Sequence, residues 1–198
     1  EFVTYEPHGV YGYSKGKRYY AQNILEELDE HGEWFLDRKS CVLYFWPPAP
    51  INEGETYVSI LDKLIRITDA SYVTLQGMEI GICRGNAIEM LDCKNSIIAG
   101  CTLRNIGNVA VNIDGGTDTG VVSCDIYNCG DGGIILNGGD RLTLTPGNNY
   151  VGNTHVYNFS RWVRSFRPAI MVSGVGNRIY NNLFHSAPHS AILLHGNE

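Results

Sequence analysis

Residues 88–136 read IEMLDCKNSIIAGCTLRNIGNVAVNIDGGTDTGVVSCDIYNCGDGGIIL, and this stretch repeats a short apolar run at a fixed interval. The first residues of these runs, here and further along the chain, are Ile65, Ile88, Val111, Ile134, Ile170 and Ile192. Their successive spacings are 23, 23, 23, 36 and 22 residues. A second column of apolar residues keeps the same register, and its members are Ile80, Leu103, Ile126, Val156 and Phe184. Residues 64–198 therefore form a repeat, and its period decides the fold.

The repeating unit holds short strands with alternating apolar residues, separated by corners rich in Gly and Asn. A unit of about 23 residues is too short for the helix pair of an ankyrin or tetratricopeptide repeat. It fits one coil of a parallel β-helix, in which residues one period apart stack as columns about 4.8 Å apart. The sequence therefore predicts an all-β parallel β-helix with coils of about 23 residues. The longer interval after Ile134 predicts a loop insertion at about residues 138–168.

The chain before the repeat has a different composition and predicts a separate segment. Residues 1–64 hold 5 of the 23 glycines and 11 of the 21 acidic residues. NILEELDE, residues 23–30, has helical spacing, and two aromatic-rich runs flank a polar turn at residues 37–40, which is typical of a hairpin. We expect a pre-helix segment over residues 1–60 and the β-helix over residues 61–198. The chain starts without Met and stops at Glu198 partway through a coil, so we expect it to be the middle of a larger protein, truncated at its C-terminal end.

Composition excludes several classes of function. The chain has 198 residues, 43% of them hydrophobic, a net charge of −6 and no stretch that concentrates Lys and Arg. A phosphate backbone is therefore not expected as a partner, and no apolar run is long enough for a membrane span. Glycine-rich segments match neither GxGxxG nor the phosphate-binding loop, so no cofactor is expected.

The six cysteines lack the paired CxxC spacing of a zinc site. Cys101 and Cys124 lie 23 residues apart at an inward position. This spacing predicts two stacked, buried free thiols, with a disulfide bridge as the alternative. Asn105, Asn128 and Asn158 also repeat at one corner, where stacked amides can hydrogen-bond from coil to coil, so we assign these asparagines to structure.

One rim of the first strand of each coil carries the most informative constellation. Three residues before the first inward position of successive coils come Asp131, Arg167 and His189. Alignment of the coils makes these residues neighbours, so an acid, a guanidinium and an imidazole are expected to converge there. Trp162 belongs to the inserted loop just before Arg167, and we expect it to overhang the same face. Each of the three residues also has a purely structural interpretation, as a turn former, an ion-pair partner or a corner cap.

The opposite rim of the same face is also polar. Its outward residues are Asp114, Asn137, Ser173 and His195. We take Asn137, Ser173 and His195 as candidates for substrate binding, together with Arg167 and Trp162. Asp131, Asp114 and His189 are the candidate catalytic residues, with Asp131 and Asp114 expected on one strand region. His155 and His185 occupy outward positions of the second strand and are assigned to the solvated surface. No HxH or HExxH spacing occurs, so no metal site is expected.

The coils, the segment KRYYAQNILEELDEHGEWFLDRKSCVLYFWPP (residues 17–48), RPAI (167–170) and APHSAILLHGN (187–197) together resemble a known family. They resemble the right-handed parallel β-helix proteins of the pectin lyase-like superfamily. More narrowly, they are similar to β-helical bacterial glycoside hydrolases that include β-xylosidases and α-L-fucosidases. The resemblance implies a secreted or periplasmic enzyme that acts on plant or algal polysaccharide. It also implies further coils after residue 198, with a catalytic acid among them.

Three functions follow from these residues and this resemblance. The first is a glycoside hydrolase in which Asp131 is the acid, base or nucleophile and Asp114 its partner. Arg167 and His189 then orient the substrate or tune the pKa of the catalytic groups, and Trp162 stacks on a sugar. The second is a uronate polysaccharide lyase, in which Arg167 neutralises a carboxylate and His189 abstracts the α proton. The third is a β-helix that binds oligosaccharide or polysaccharide without catalysis.

Overall fold

A computed structural model describes residues 15–16 and 21–196, and the chain divides into two compact units between Thr56 and Tyr57. The part of the predicted pre-helix segment at residues 1–14 and 17–20 lies outside the described residues, as do residues 197–198. The first unit contains an antiparallel hairpin of β1 (Trp34–Asp37) and β2 (Val42–Phe45). Asp37 closes its turn by accepting hydrogen bonds from the Lys39 N–H at 2.9 Å and the Ser40 hydroxyl at 2.6 Å. Where a short helix is predicted, the structure has one 3₁₀ turn, Leu25–Glu27, and another follows at Ile51–Glu53.

The second unit consists of short strands joined by tight corners. In chain order these are β3 (Lys63–Thr68), β4 (Thr74–Gln76), β5 (Glu79–Cys83), β6 (Asn86–Leu91), β7 (Ile97–Ala99), β8 (Thr102–Ile106), β9 (Val111–Asp114), β10 (Gly120–Val122), β11 (Asp125–Cys129), β12 (Ile134–Asp140), β13 (Thr145–Pro146), β14 (Tyr150–Gly152), β15 (His155–Tyr157), β16 (Ile170–Gly174), β17 (Arg178–Tyr180), β18 (Leu183–His185) and β19 (Ile192–Leu194). No helix in the described part of the chain is long and apolar enough to cross a membrane.

These strands stack into three parallel sheets, as a parallel β-helix requires. The first has the order β19-β16-β12-β9-β6-β3, the second β18-β15-β11-β8-β5 and the third β17-β14-β10-β7-β4. Ile88 pairs with Val111 and Val111 with Ile134, so the register is one 23-residue period, as predicted. The third sheet contributes a strand of three residues to each coil, which the two apolar columns do not indicate.

The corners between the second and first sheets depend on residues that tolerate a left-handed backbone. Asn105, Asn128 and Asn158 have φ of +56°, +57° and +51°, a region that Asn adopts at lower cost than most residues. The Asn128 amide donates to the Asn105 side-chain oxygen at 2.9 Å, and the Asn158 amide donates to Asn128. The predicted asparagine column is therefore confirmed as a hydrogen-bonded ladder.

The core fills the space between the three sheets with inward residues of each coil. The largest fully buried side chains include Ile88, Met90, Leu103, Ile126 and Ile134. Cys101 and Cys124 are buried and free, and the Cys101 N–H lies 3.4 Å from Cys124 Sγ, which confirms the stacked thiols. Burial raises the pKa of Cys124 to about 11, so this thiol stays neutral in the core.

The predicted insertion at residues 138–168 consists of two loops that leave the coil, the first and second excursions, separated by a stretch that belongs to it. The first is a small hairpin in which the end of β12 pairs antiparallel with β13. The chain then returns to the stack, because β14 and β15 pair in parallel with β10 and β11. The second excursion covers residues 161–166, between Ser160 and Arg167. The chain between the two excursions, with β14 and β15, is thus part of the β-helix.

Candidate functional site

Asp131 and Arg167 occupy the corner that precedes the first sheet in neighbouring coils. Arg167 Nε lies 2.8 Å from Asp131 Oδ1, and the Asp131 side chain is only 14% exposed. The Nε–H is not aligned with this contact and makes no hydrogen bond, so the attraction is ionic. The Gly132 N–H donates to the same Oδ1 at 2.7 Å. Asp131 is therefore engaged by a cation and a backbone donor and is largely shielded from solvent.

Ser160 connects the two ends of the second excursion, a role that the sequence pattern does not indicate. This residue is fully buried, and its N–H donates to the Asp131 carbonyl at 2.7 Å. Its hydroxyl donates to the Arg167 carbonyl. Ser160 thus holds the chain where the loop leaves the coil and where it returns, and it brings Asp131 and Arg167 together.

His189 lies three residues before β19, as Arg167 lies three residues before β16, and Ile170 pairs with Ile192. The register therefore places His189 in the same corner, one coil further on. Its ring is exposed and lies 5.4 Å from the ring of Phe166, and its Nδ1 lies 3.0 Å from Ser190 Oγ. The structure brings His189 to the predicted corner, where its contacts are with Phe166 and Ser190.

Trp162 lies on the second excursion, against the corner that ends β11. The backbone N–H of Trp162 donates to the Gly130 carbonyl at 2.7 Å. The indole lies so close to Gly130 that a Cβ at residue 130 would come 2.5 Å from Trp162 Cδ1. The side chain is nevertheless 51% exposed. One face of the indole therefore packs on the backbone, and the rest remains accessible to a ligand.

The opposite rim of the first sheet carries a ladder of polar side chains, which we call the polar ladder: Asp114, Asn137 and Ser173. The Asn137 amide donates to Asp114 Oδ1 at 2.7 Å, and the Ser173 hydroxyl donates to Asn137 Oδ1 at 2.8 Å. The strand register pairs these residues directly. His195 follows β19 at the next place in the row, with an exposed side chain. The structure therefore places the predicted binding residues Asn137, Ser173 and His195 in one row with Asp114, whereas Arg167 lies at the other rim and Trp162 on the second excursion.

Asp131 and Asp114 do not share one strand region, which corrects the expected acid and base pairing. Asp114 pairs with Asn137 in the middle of β12, whereas Asp131 precedes the first residue of that strand. Residues 134–137 of β12 span about 10 Å, and the corner adds to this separation. Glycosidase carboxylates lie about 5–5.5 Å apart for retention or about 6.5–9.5 Å apart for inversion, on either side of one bond. The two aspartates occupy opposite rims of the face.

A second polar cluster lies on the outward face of the second sheet, where only solvated surface was expected. His155 Nε2 lies 2.8 Å from His185 Nε2, and His155 Nδ1 lies 3.3 Å from Asp125 Oδ1. Tyr127 stacks on Tyr157 with ring centroids 5.0 Å apart. The pKa of Tyr157 is raised, mainly by burial and to a smaller extent by the negative charges of Tyr127 and Asp125. The repeat register aligns Asp125 with His155 and Tyr157 with His185, so it could have indicated these neighbours, whereas the contact between His155 and His185 is diagonal and is not given by the register.

A small groove separates the second excursion from the last coil. It has a volume of about 200 Å³ and is lined by Asn158, Phe159, Ser160, Arg161, Arg164, Ser186, Ala187 and Pro188. In the described part of the chain, no carboxylate lies within 4.0 Å of the guanidinium of Arg161 or Arg164. The groove therefore offers two cations to an anionic group.

Comparison with known proteins identifies the family. Residues 58–198 match the family described as right-handed β-helix region, and the chain belongs to this family. The fold is thus a right-handed parallel β-helix. None of the curated proteins and none of the solved structures matches the chain significantly. Membership fits a carbohydrate-active β-helix protein in general terms and specifies neither a sugar nor a reaction.

Proposed function

We propose that this β-helix binds a polysaccharide along the outward face of its first sheet, as part of a secreted or periplasmic carbohydrate-active protein. The polar ladder carries the proposal. A carboxylate, an amide and a hydroxyl stand in one row, at the strand spacing of about 4.8 Å. Such a row offers both donors and acceptors to sugar hydroxyl groups. The exposed indole of Trp162 supplies an apolar surface near the other rim.

Glycoside hydrolysis is the reaction that the resemblance favours for this surface. Asp114 and His189 are exposed, whereas Asp131 is held by Arg167 and the Gly132 N–H. Asp114 is therefore the candidate carboxylate that a substrate on the polar ladder would contact directly. A second carboxylate at catalytic distance from Asp114 is required for hydrolysis, and we assign binding rather than the complete reaction to this chain.

Affinity electrophoresis tests the binding proposal on the full chain with xylan, fucan and polygalacturonate in the gel. Asn137→Ala removes the central member of the polar ladder, and we expect about a fivefold to tenfold weaker interaction with the retarding polysaccharide. Thr102→Ala, an outward polar substitution on the second sheet, is the control and should leave the retardation unchanged. Equal retardation of both variants and the parent would contradict the proposed face.

The same incubations distinguish the possible reactions. Hydrolysis releases new reducing ends without ultraviolet absorbance, and elimination releases an unsaturated uronate that absorbs in the ultraviolet. Binding that persists in Asp131→Asn and Asp114→Asn, with no product from the parent chain, identifies a non-catalytic glycan-binding β-helix.

The groove at Arg161 and Arg164 favours an acidic polysaccharide as a second candidate ligand. Arg167 is committed to Asp131, so the two groove arginines are better placed than Arg167 to meet a uronate carboxylate. Replacement of both by Gln should weaken binding to polygalacturonate and leave binding to neutral xylan unchanged. Equal loss for both polymers would mean that the substitutions act on the loop structure and not on charge recognition.

A further inference from the structure

A row of apolar side chains runs along the middle of the outward face of the first sheet. Its members are Ile135 in β12, Met171 in β16 and Leu193 in β19, and the strand register pairs them directly. Each of the three is partly exposed, whereas the inward residues Ile134 and Ile170 beside them are fully buried. We call this row the apolar floor.

The column that forms the apolar floor changes its chemical character along the β-helix axis. In the two preceding coils it holds Glu89 and Asn112, which pair with each other across β6 and β9. Asn112 then pairs with Ile135, where the column becomes apolar. Outward positions do not fill the core, so the packing of the β-helix gives no reason for three successive apolar residues there. A ligand that covers the row gives one.

The apolar floor and the polar ladder form one amphipathic surface. Ile135 lies two residues before Asn137, and Met171 lies two residues before Ser173, so the members of each pair are about 6.6 Å apart along one strand. A pyranose ring carries C–H groups on its faces and hydroxyl groups at its edge. A ring whose face lies on the apolar floor therefore directs its edge hydroxyls to the amide and hydroxyl of the polar ladder.

The charge of this surface favours a neutral sugar over a uronate. Residues 112–114, 135–137, 171–173 and 193–195 contain one carboxylate, Asp114, and no Lys or Arg. Arg167, at the corner that precedes the sheet, is already engaged by Asp131. A uronate carboxylate on the floor would lose water without gaining a cation, and it would meet the like charge of Asp114. A neutral ring has neither cost.

We propose that the apolar floor and the polar ladder bind a neutral polysaccharide, with the C–H faces of its sugar rings on Ile135, Met171 and Leu193. This inference rests on the proposed function and names the class of its ligand. The groove that contains Arg161 and Arg164 shares no lining residue with the floor or the ladder, so an acidic polymer in the groove would be a separate ligand.

Affinity electrophoresis with matched substitutions tests the apolar floor. The full chain carries Arg161→Gln and Arg164→Gln to remove the groove charges, and the gels contain neutral xylan, neutral mannan or polygalacturonate. We expect retardation by a neutral polymer and none by polygalacturonate. Leu193→Gln and Met171→Gln should each weaken the interaction about threefold to tenfold, because an amide gains less from contact with a C–H face. Leu183→Gln, the same exchange at an exposed outward position of the second sheet, is the control and should leave the retardation unchanged.

Thermal melts distinguish loss of the floor from loss of the fold. Both floor residues point outward, so we expect the Tm of Leu193→Gln and Met171→Gln to stay within about 2 °C of the background. Weaker binding at an unchanged Tm supports the proposal. If Asn137→Ala weakens binding to a neutral polymer and neither floor substitution does, the proposed function stands and this inference is wrong. Retardation by polygalacturonate that Asn137→Ala weakens overturns the neutral ligand class, and absence of retardation by every polymer overturns both proposals.

Discussion

At the scale of single residues, the ion pair of Asp131 and Arg167 tests how much a charge that is shielded from solvent contributes to stability. Asp131→Asn keeps the size of the side chain and removes its charge, and Arg167 Nε is then a nearly inaccessible donor without an anion. Because the Arg167 side chain is 39% exposed, we expect a moderate loss of about 1–2 kcal/mol in the free energy of unfolding. Urea denaturation measures this loss.

The chain offers a matched control for this substitution. Asp62 and Arg84 form an ion pair whose side chains are 65% and 66% exposed. Asp62→Asn should change the free energy of unfolding by less than about 0.5 kcal/mol, because solvent screens the pair. Similar losses in both variants would show that the burial of Asp131 contributes nothing.

At the scale of the repeating element, two substitutions at the asparagine corner should change the free energy of unfolding in opposite directions. Ile82 holds the corresponding position in an earlier coil with φ of +61°, an unfavourable conformation for a β-branched residue. Ile82→Asn should raise the free energy of unfolding by about 1 kcal/mol, because Asn tolerates this conformation and can extend the ladder to Asn105. Asn128→Ala should lower it by about 2–3 kcal/mol, through backbone strain and lost hydrogen bonds.

Asn128→Gly separates these two contributions. Glycine adopts a positive φ without strain, so this variant loses only the ladder hydrogen bonds and should lie between the parent and Asn128→Ala in urea denaturation. A Gly variant as unstable as the Ala variant would assign the whole effect to the ladder. Destabilisation by Ile82→Asn would show that the apolar contacts of Ile82 outweigh its backbone strain.

At the scale of the whole molecule, burial is unequal among the coils. Leu103 in β8 and Ile126 in β11 are fully buried, whereas β17, β18 and β19 each alternate exposed and partly buried residues. Stability in a repeat protein is a sum of local and nearest-neighbour contributions, so the least buried coil opens first. In hydrogen exchange, we expect the amides of β8 and β11 to exchange at least about 100-fold more slowly than those of β17 to β19. Uniform protection would instead indicate one cooperative unit.

The sequence by itself determined the coil, its period and its columns, because in a parallel β-helix residues one period apart must stack. Cys101 above Cys124 and the asparagine ladder follow from that register alone. Asp131 and Arg167 could also be predicted as neighbours. Their ion pair was one of the structural interpretations open to the sequence, but its geometry depends on Ser160 and on the path of the second excursion.

Only the tertiary structure decided which polar residues work together across a face. The repeat already assigns Asp131 and Asp114 to different rims, and the register of β9 against β12 shows that they do not share one strand region as an acid and base pair would. His155 pairs with Leu183, so the second excursion lengthens this coil to 28 residues, and His185 lies two residues further along β18. The contact between the two histidines depends on a diagonal between neighbouring strands and on side-chain directions set by Tyr157 and Asp125, which a repeat period does not specify.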